Sequence, residues 1–192
     1  MIRFSRKLPM PALSWSVLFL VMFSAGNSSA ADEEQGEKAA PAPSANEQIV
    51  SLEGMCAQNA EAMAAADSAK SLYERLGGRE GIHKIVAEVV RLHGQNKDFD
   101  RFMDEVDTKH LIDGVTQFMV SATGGPGDYE GPSLAESHAH LKLTNADFLS
   151  AGHDVMQGMK NMGCKEAEIN ELICMFVSLR DQVVIDSDKE LD

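Results

Sequence analysis

The chain has 192 residues, 30 acidic against 17 basic side chains and a formal charge of −13 at neutral pH. A surface of that sign repels phosphate backbones and anionic lipid, which argues against nucleic acid and against stable membrane association. Its length suits one folded domain with appended segments.

At the start, Arg3, Arg6 and Lys7 precede the apolar run PALSWSVLFLVMFSA. The run is about 15 residues long, short of the roughly 20 that span a bilayer. Residues 1–30 therefore read as a signal peptide cleaved after Ala30, with export to a bacterial periplasm; an uncleaved anchor is the alternative. They hold three basic side chains and no acidic one, so the exported remainder is more acidic still. Residues 31–50 mix acids, Ala, Pro and Ser with few large apolar side chains, too little to repay the entropy of folding, and read as a flexible linker. Residues 51–70 contain the Ala-rich AQNAEAMAAADSAK, which favours helix but offers little to bury, and read as an N-terminal helical extension. A domain over residues 71–185 and an acidic tail over 186–192 complete the chain.

The domain reads as all-α. Ser71 and Glu74 fit a capping box, and the short helix they open stops at Gly77 and Gly78. Ile82, Ile85, Val86, Val89 and Val90 then recur at the period of one buried helix face. A further stripe runs through Leu111, Val115, Phe118, Met119 and Ala122 to Gly124-Gly125. Thr144 and Asp147 make a second capping pattern ahead of Phe148, Val155, Met159 and Met162. Ile169, Leu172, Ile173, Phe176, Leu179 and Val183 form the cleanest stripe. No strand-like alternation of useful length and no internal repeat is present.

Between these helices lie the turn-rich GGPGDYEG (124–131) and PSLAESHAHLKL (132–143). Ser133 and Glu136 make another capping box, so a helix starts near Leu134. Leu134, His138 and Leu141 share a side at offsets 0, 4 and 7, whereas His140 falls about 200° round from His138. His138 is thus directed inward and His140 outward. An inward histidine between leucines fits a hydrogen-bonded core residue or a metal ligand.

LYERLGG, FMDEVD (102–107), GGPGDYEG and LAESHAHL occur in the order and at the spacings of the group I truncated haemoglobins, which the chain resembles over Leu72 to Val184. The resemblance implies a shortened globin, a two-over-two helical sandwich around non-covalent haem b, with His138 as the proximal iron ligand. Globins use one such histidine. It implies a cofactor wall of Phe102, Leu111, Val115, Phe118, Leu134 and Phe148, of which Phe102 and Phe118 match aromatic positions against the porphyrin. The family's distal tyrosine aligns with Val90, and its two polar distal positions align with Leu111 and Val115. The usual donors to O2 are therefore missing, and O2 should be held less firmly, by about 1.5–3 kcal/mol. CO, which polarises less, should suffer less. His110, about 100° off the stripe centre, is a solvated flank residue or a sixth iron ligand. His93 reads as a helix-end residue, and Met103, Met119, Met156 and Met159 as core filler.

No C-x-x-C-H occurs, so c-type haem attachment is not indicated. Cys164 and Cys174 are too far apart along one helix for a disulfide, so a bridge must use Cys56. Cys56–Cys174, pinning the N-terminal helix to the last one, is the favoured pairing; Cys56–Cys164 and three free thiols are the alternatives. The function expected is binding of a diatomic gas, O2, NO or CO. A redox partner enters if electrons are needed: NO dioxygenation would require an external reductase, and no catalytic residue set is indicated. Electron transfer, sensing, or a globin fold without haem is the other reading.

Overall fold

The structure, a computed structural model, describes residues 42–66 and 70–185, without the side chains of 61–66. The expected signal peptide, the first part of the expected linker and the acidic tail lie outside the described residues.

Helix α1 (Ala45–Ala66) begins inside the stretch expected to be linker. The Ser44 N–H and hydroxyl donate to the Glu47 carboxylate at 2.7 and 2.8 Å, and the hydroxyl accepts from the Glu47 N–H at 3.3 Å. This capping box satisfies donors that the first helical turn leaves over. Ile49, only 3% exposed, is the anchor, and α1 packs on α7 (Asn145–Asn161) and α8 (Glu166–Leu179). A Cys56–Cys174 disulfide, Cα–Cα 5.4 Å, fastens α1 to α8. Cys164 is a free thiol, half-buried; burial, then the Glu168 carboxylate, pushes its pKa up, which makes it a poor nucleophile.

Helix α2 (Leu72–Arg75) carries the capping box of Ser71 and Glu74. Gly77 then turns the chain with φ 85°, a left-handed conformation that glycine adopts without penalty, and α3 (Gly78–His93) follows. Ile82, Ile85, Val86 and Val90 are buried along one face of α3. That helix packs on α5 (Thr108–Ala122) and on α7, and α7 packs on α8. Ile82, Met159, Ile169 and Leu172 are the fully buried apolar centre. Met162, expected on the apolar side of α7, is 44% exposed because it caps the helix end.

Two short helices complete the set: α4 (Asp100–Met103), after a 3-10 turn at Lys97–Phe99, and α6 (Leu134–His138), before one at Ala139–Leu141. An isolated parallel β-bridge joins Leu143 to Val184. Among the described residues there is no longer β pairing, and no helix is long and apolar enough to cross a membrane.

Candidate functional site

The capping box expected at Ser133 is present. Its hydroxyl and N–H donate to Glu136 at 2.7 and 2.8 Å, and the Glu136 N–H returns to the hydroxyl at 3.2 Å. The Ser133 hydroxyl, then its N–H, holds the Glu136 carboxyl below the usual carboxylate range. With its start fixed, α6 runs a single turn and ends at His138. Four residues apart on that turn, His138 Nδ1 lies 2.7 Å from the Leu134 carbonyl. A carbonyl only accepts, so Nδ1 carries the proton and donates it. The lone pair then sits on Nε2, which makes no hydrogen bond among the described residues. Metal-ligating histidines are commonly held in this way, with the second ring nitrogen donating to a carbonyl. His138 is half-buried and His140 exposed, as the helical phase requires.

Helix α5 has two sides. Thr116, Met119 and Val120 are buried, whereas Leu111, Ile112, Val115 and Phe118 are half-buried against the core margin. Phe148 and Met156 on α7 are likewise half-buried against that margin, as is Met103 on α4. Leu134 is also half-buried, on α6. Leu111, Val115, Phe118, Leu134 and Phe148, together with the His138 imidazole, are thus all partly exposed.

Phe102 is also half-buried. Phe99 meets its ring edge-on at 5.7 Å between centroids, and the Arg101 guanidinium lies 4.4 Å over it. Arg101 in turn donates to both Asp147 oxygens at 2.7 Å, fastening α4 to the start of α7. Burial alone would raise the Asp147 pKa; the Thr144 N–H and hydroxyl together with Arg101 outweigh it and hold the carboxyl low.

Other candidates fall elsewhere. His110 is exposed, and its N–H donates to the Asp107 cap at 3.1 Å. Val90 is buried in the core. His93 is paired through Nδ1 with Asp154 at 2.8 Å and stacked on Phe99 at 4.4 Å, where it closes the end of α3 on α7. Met119 and Met159 are core residues, 3% and 0% exposed. Sequence reasoning missed Tyr129, whose ring stands edge-on to Phe118 at 5.5 Å and draws the 124–131 loop onto α5. The motif GDYE marked the loop, but nothing in it marks the contact.

A flat apolar group with a metal at its centre fits this chemistry. Half-buried apolar side chains supply surface to cover it, and the bare Nε2 of His138 supplies a neutral nitrogen donor. Among the described residues no cluster of three or more His, Cys, Asp or Glu side chains could hold a bare metal ion instead.

Comparison with known proteins gives one consistent answer. The sequence profile of bacterial-like globins matches residues 71–185. A group 1 truncated haemoglobin of Tetrahymena pyriformis is 26% identical over 102 residues, which are 53% of this chain and 84% of the relative. The crystal structure of the Tetrahymena truncated haemoglobin in its Fe(III) form superposes with a TM-score of 0.57 at 24% identity, covering 60% of this chain and 98% of that one. The 2/2 haemoglobin of a Synechococcus species, in a cyanomet state with covalently attached haem, gives 0.56 at 24% identity with the same coverage. A group II truncated haemoglobin of Bacillus anthracis gives 0.55 at 19% identity, covering 65% and 97%. At these identities the solved structures speak for the fold.

Proposed function

The chain belongs to the bacterial-like globin family as a truncated globin of group I with the two-on-two helical fold, and from that premise we propose that it holds non-covalent haem b on His138 and binds a diatomic gas beside α5. Haem iron held by one imidazole supplies an open position for such a gas. The observation that carries the reading is the Nδ1–H bond from His138 to the Leu134 carbonyl, which leaves Nε2 as a ligand atom in a half-buried apolar setting.

Leu111 and Val115, on the half-buried side of α5, present only hydrocarbon. They exclude water but donate nothing to a gas that gains negative charge on binding. Such a wall favours CO over O2 and releases O2 fast. His110 is exposed at the first turn of α5 and engaged there only through its backbone, so the reading takes five-coordinate iron in the absence of gas. The acidic surface turns away nucleic acid, and any reductase that supplies electrons comes from outside this chain.

Export to an oxidising compartment is part of the proposal. The charged start and apolar run of residues 1–30 support it, and so does the Cys56–Cys174 disulfide, a bond that persists in such compartments and is rare in the cytosol.

The visible spectrum of the full chain supplied with haem tests the reading. A Soret band that shifts with CO and is lost or displaced in His138→Ala is expected. No band, or one that His138→Ala leaves unchanged, overturns it in favour of a globin fold without haem at this histidine. A low-spin ferrous spectrum abolished by His110→Ala would instead make His110 the sixth ligand.

A further inference from the structure

Helix α1 lies on the domain by one stripe. Among its described side chains only Ala45, Ile49, Leu52 and Cys56 are buried or half-buried, spaced so that they share one helical face. Asn46 beside them accepts a hydrogen bond from the buried Asn145 at 2.5 Å. The next position on the stripe is Ala60, and it is exposed. Where the packing stops, a cleft of about 630 Å³ opens beside α1 and α8. Ala60, Ser71 and Gly124 give it short walls, and Cys56 and Cys174 both line it.

The bridge is therefore the last packed point of the described part of α1, and it is half-buried beside open space. A disulfide that a thiol can reach is a labile one, whereas a sealed one waits for the protein to unfold. The chain itself offers no thiol for the exchange. Cys164 is half-buried, and burial, then the Glu168 carboxylate, pushes its pKa up, so it attacks poorly. The electrons must come from outside.

We propose that Cys56–Cys174 is a reducible latch: a dithiol entering the cleft reduces it in the folded chain and frees α1 beyond Cys56, while Ile49 and Leu52 keep the first half of the helix seated. One thiolate of the dithiol attacks a sulfur of the bridge, the S–S bond breaks, and the other cysteine leaves as a thiolate. With Cα atoms 5.4 Å apart, that cysteine stands beside the mixed disulfide and can reverse the step. A monothiol is therefore expelled again. A dithiol closes on itself first and leaves as a disulfide, and its two electrons and two protons end on Cys56 and Cys174. The latch stands apart from the haem reading.

Dithiothreitol acting on the oxidised full chain, followed by alkylation and intact mass, tests this. Two alkyl adducts should be gained, at a rate scarcely altered by urea below the unfolding transition. Reduction through global unfolding would instead speed about tenfold for each 1 M urea, and that result overturns the proposal. 2-Mercaptoethanol at the same thiol concentration should leave most of the bridge intact; equal reduction by both reagents overturns the dithiol requirement. Ala60→Leu lengthens one wall of the cleft with a good helix former. It should slow the reaction severalfold at an unchanged unfolding temperature of the oxidised chain, and an unchanged rate overturns the cleft as the route. After reduction, protease should cut α1 beyond Cys56 and leave residues 71–185 whole. A reduced chain no more open to cleavage there than the oxidised one would mean that nothing is released, and the latch fails.

Discussion

The two helices that pack on α3 are finished to different degrees. On the α7 side the backbones nearly touch: a Cβ built on Gly158 would stand 2.7 Å from Val89 Cγ2. Met159 beside it is wholly buried, and His93, Asp154 and Asn96 close the helix ends with bonds of 2.8 and 2.9 Å. On the α5 side the inner face is buried, yet Leu111, Val115 and Phe118 remain half-exposed; Leu134 and His138 on α6 and Phe148 on α7 are half-exposed too. Apolar area left open in this way is worth about 25 cal/mol per Å² to whatever covers it. The first side is packed as a protein interface, whereas under the proposed function the second is covered by haem, so haem should add stability through the second alone.

The largest expected break in that contrast comes from the disulfide. Replacing Cys56 and Cys174 by Ala opens a closure across 118 residues of sequence, and should cost about 2–5 kcal/mol of unfolding free energy. Denaturant unfolding of the full chain measures it. Because the bridge joins α1 to α8, and none of the residues proposed to meet haem lies on either helix, the Soret position and CO shift should stay as in wild type. A displaced Soret band would mean that the two sides are coupled, and the contrast would fail.

Gly158→Ala is a smaller and more local perturbation of the finished side. The new methyl meets the Val89 side chain, which must shift or force α3 and α7 apart, at about 1–3 kcal/mol. Val89→Ala in the same chain should return part of that loss, a non-additivity expected only of side chains in contact. Thermal unfolding of the single and double variants checks it; strict additivity would place the tightness of the crossing elsewhere.

What could be read from sequence was local or periodic. The capping boxes at Ser71, Ser133 and Thr144 are all present, because each depends on four consecutive residues. The face of α3 was legible through the spacing of Ile82, Ile85, Val86 and Val90, and the phase of His138 against His140 through the same periodicity. The start of α1 at Ala45 was not legible. Its warrant is partly Ile49, whose burial depends on helices about 100 residues away. Nor was α4, held by an Arg101–Asp147 pair spanning 46 residues. The site shows the same division. Orientation of His138 followed from helix geometry, whereas the contact of Tyr129 with Phe118 depends on packing that no short pattern encodes.

The smallest effect should come from the cap of the helix that carries His138, the proposed iron ligand. Ser133→Ala removes the hydroxyl at the start of α6 and should cost about 1 kcal/mol. The carbonyl that accepts the hydrogen bond from His138 Nδ1–H belongs to Leu134, the first residue of that helix. A frayed first turn therefore loosens the tautomer as well as the helix, and haem should pass to an acceptor globin a few times faster than from wild type while the Soret position is kept. Acid should mimic the substitution. The Glu136 pKa is lowered in the folded chain by its bonds to Ser133, so the cap's contribution is complete above the ordinary carboxylate range and is lost as pH falls through the lowered value. Haem loss from wild type should accelerate across that fall, and the ratio of Ser133→Ala to wild-type rates should shrink there. A ratio that stays constant down to the same pH would separate the cap from the proximal histidine.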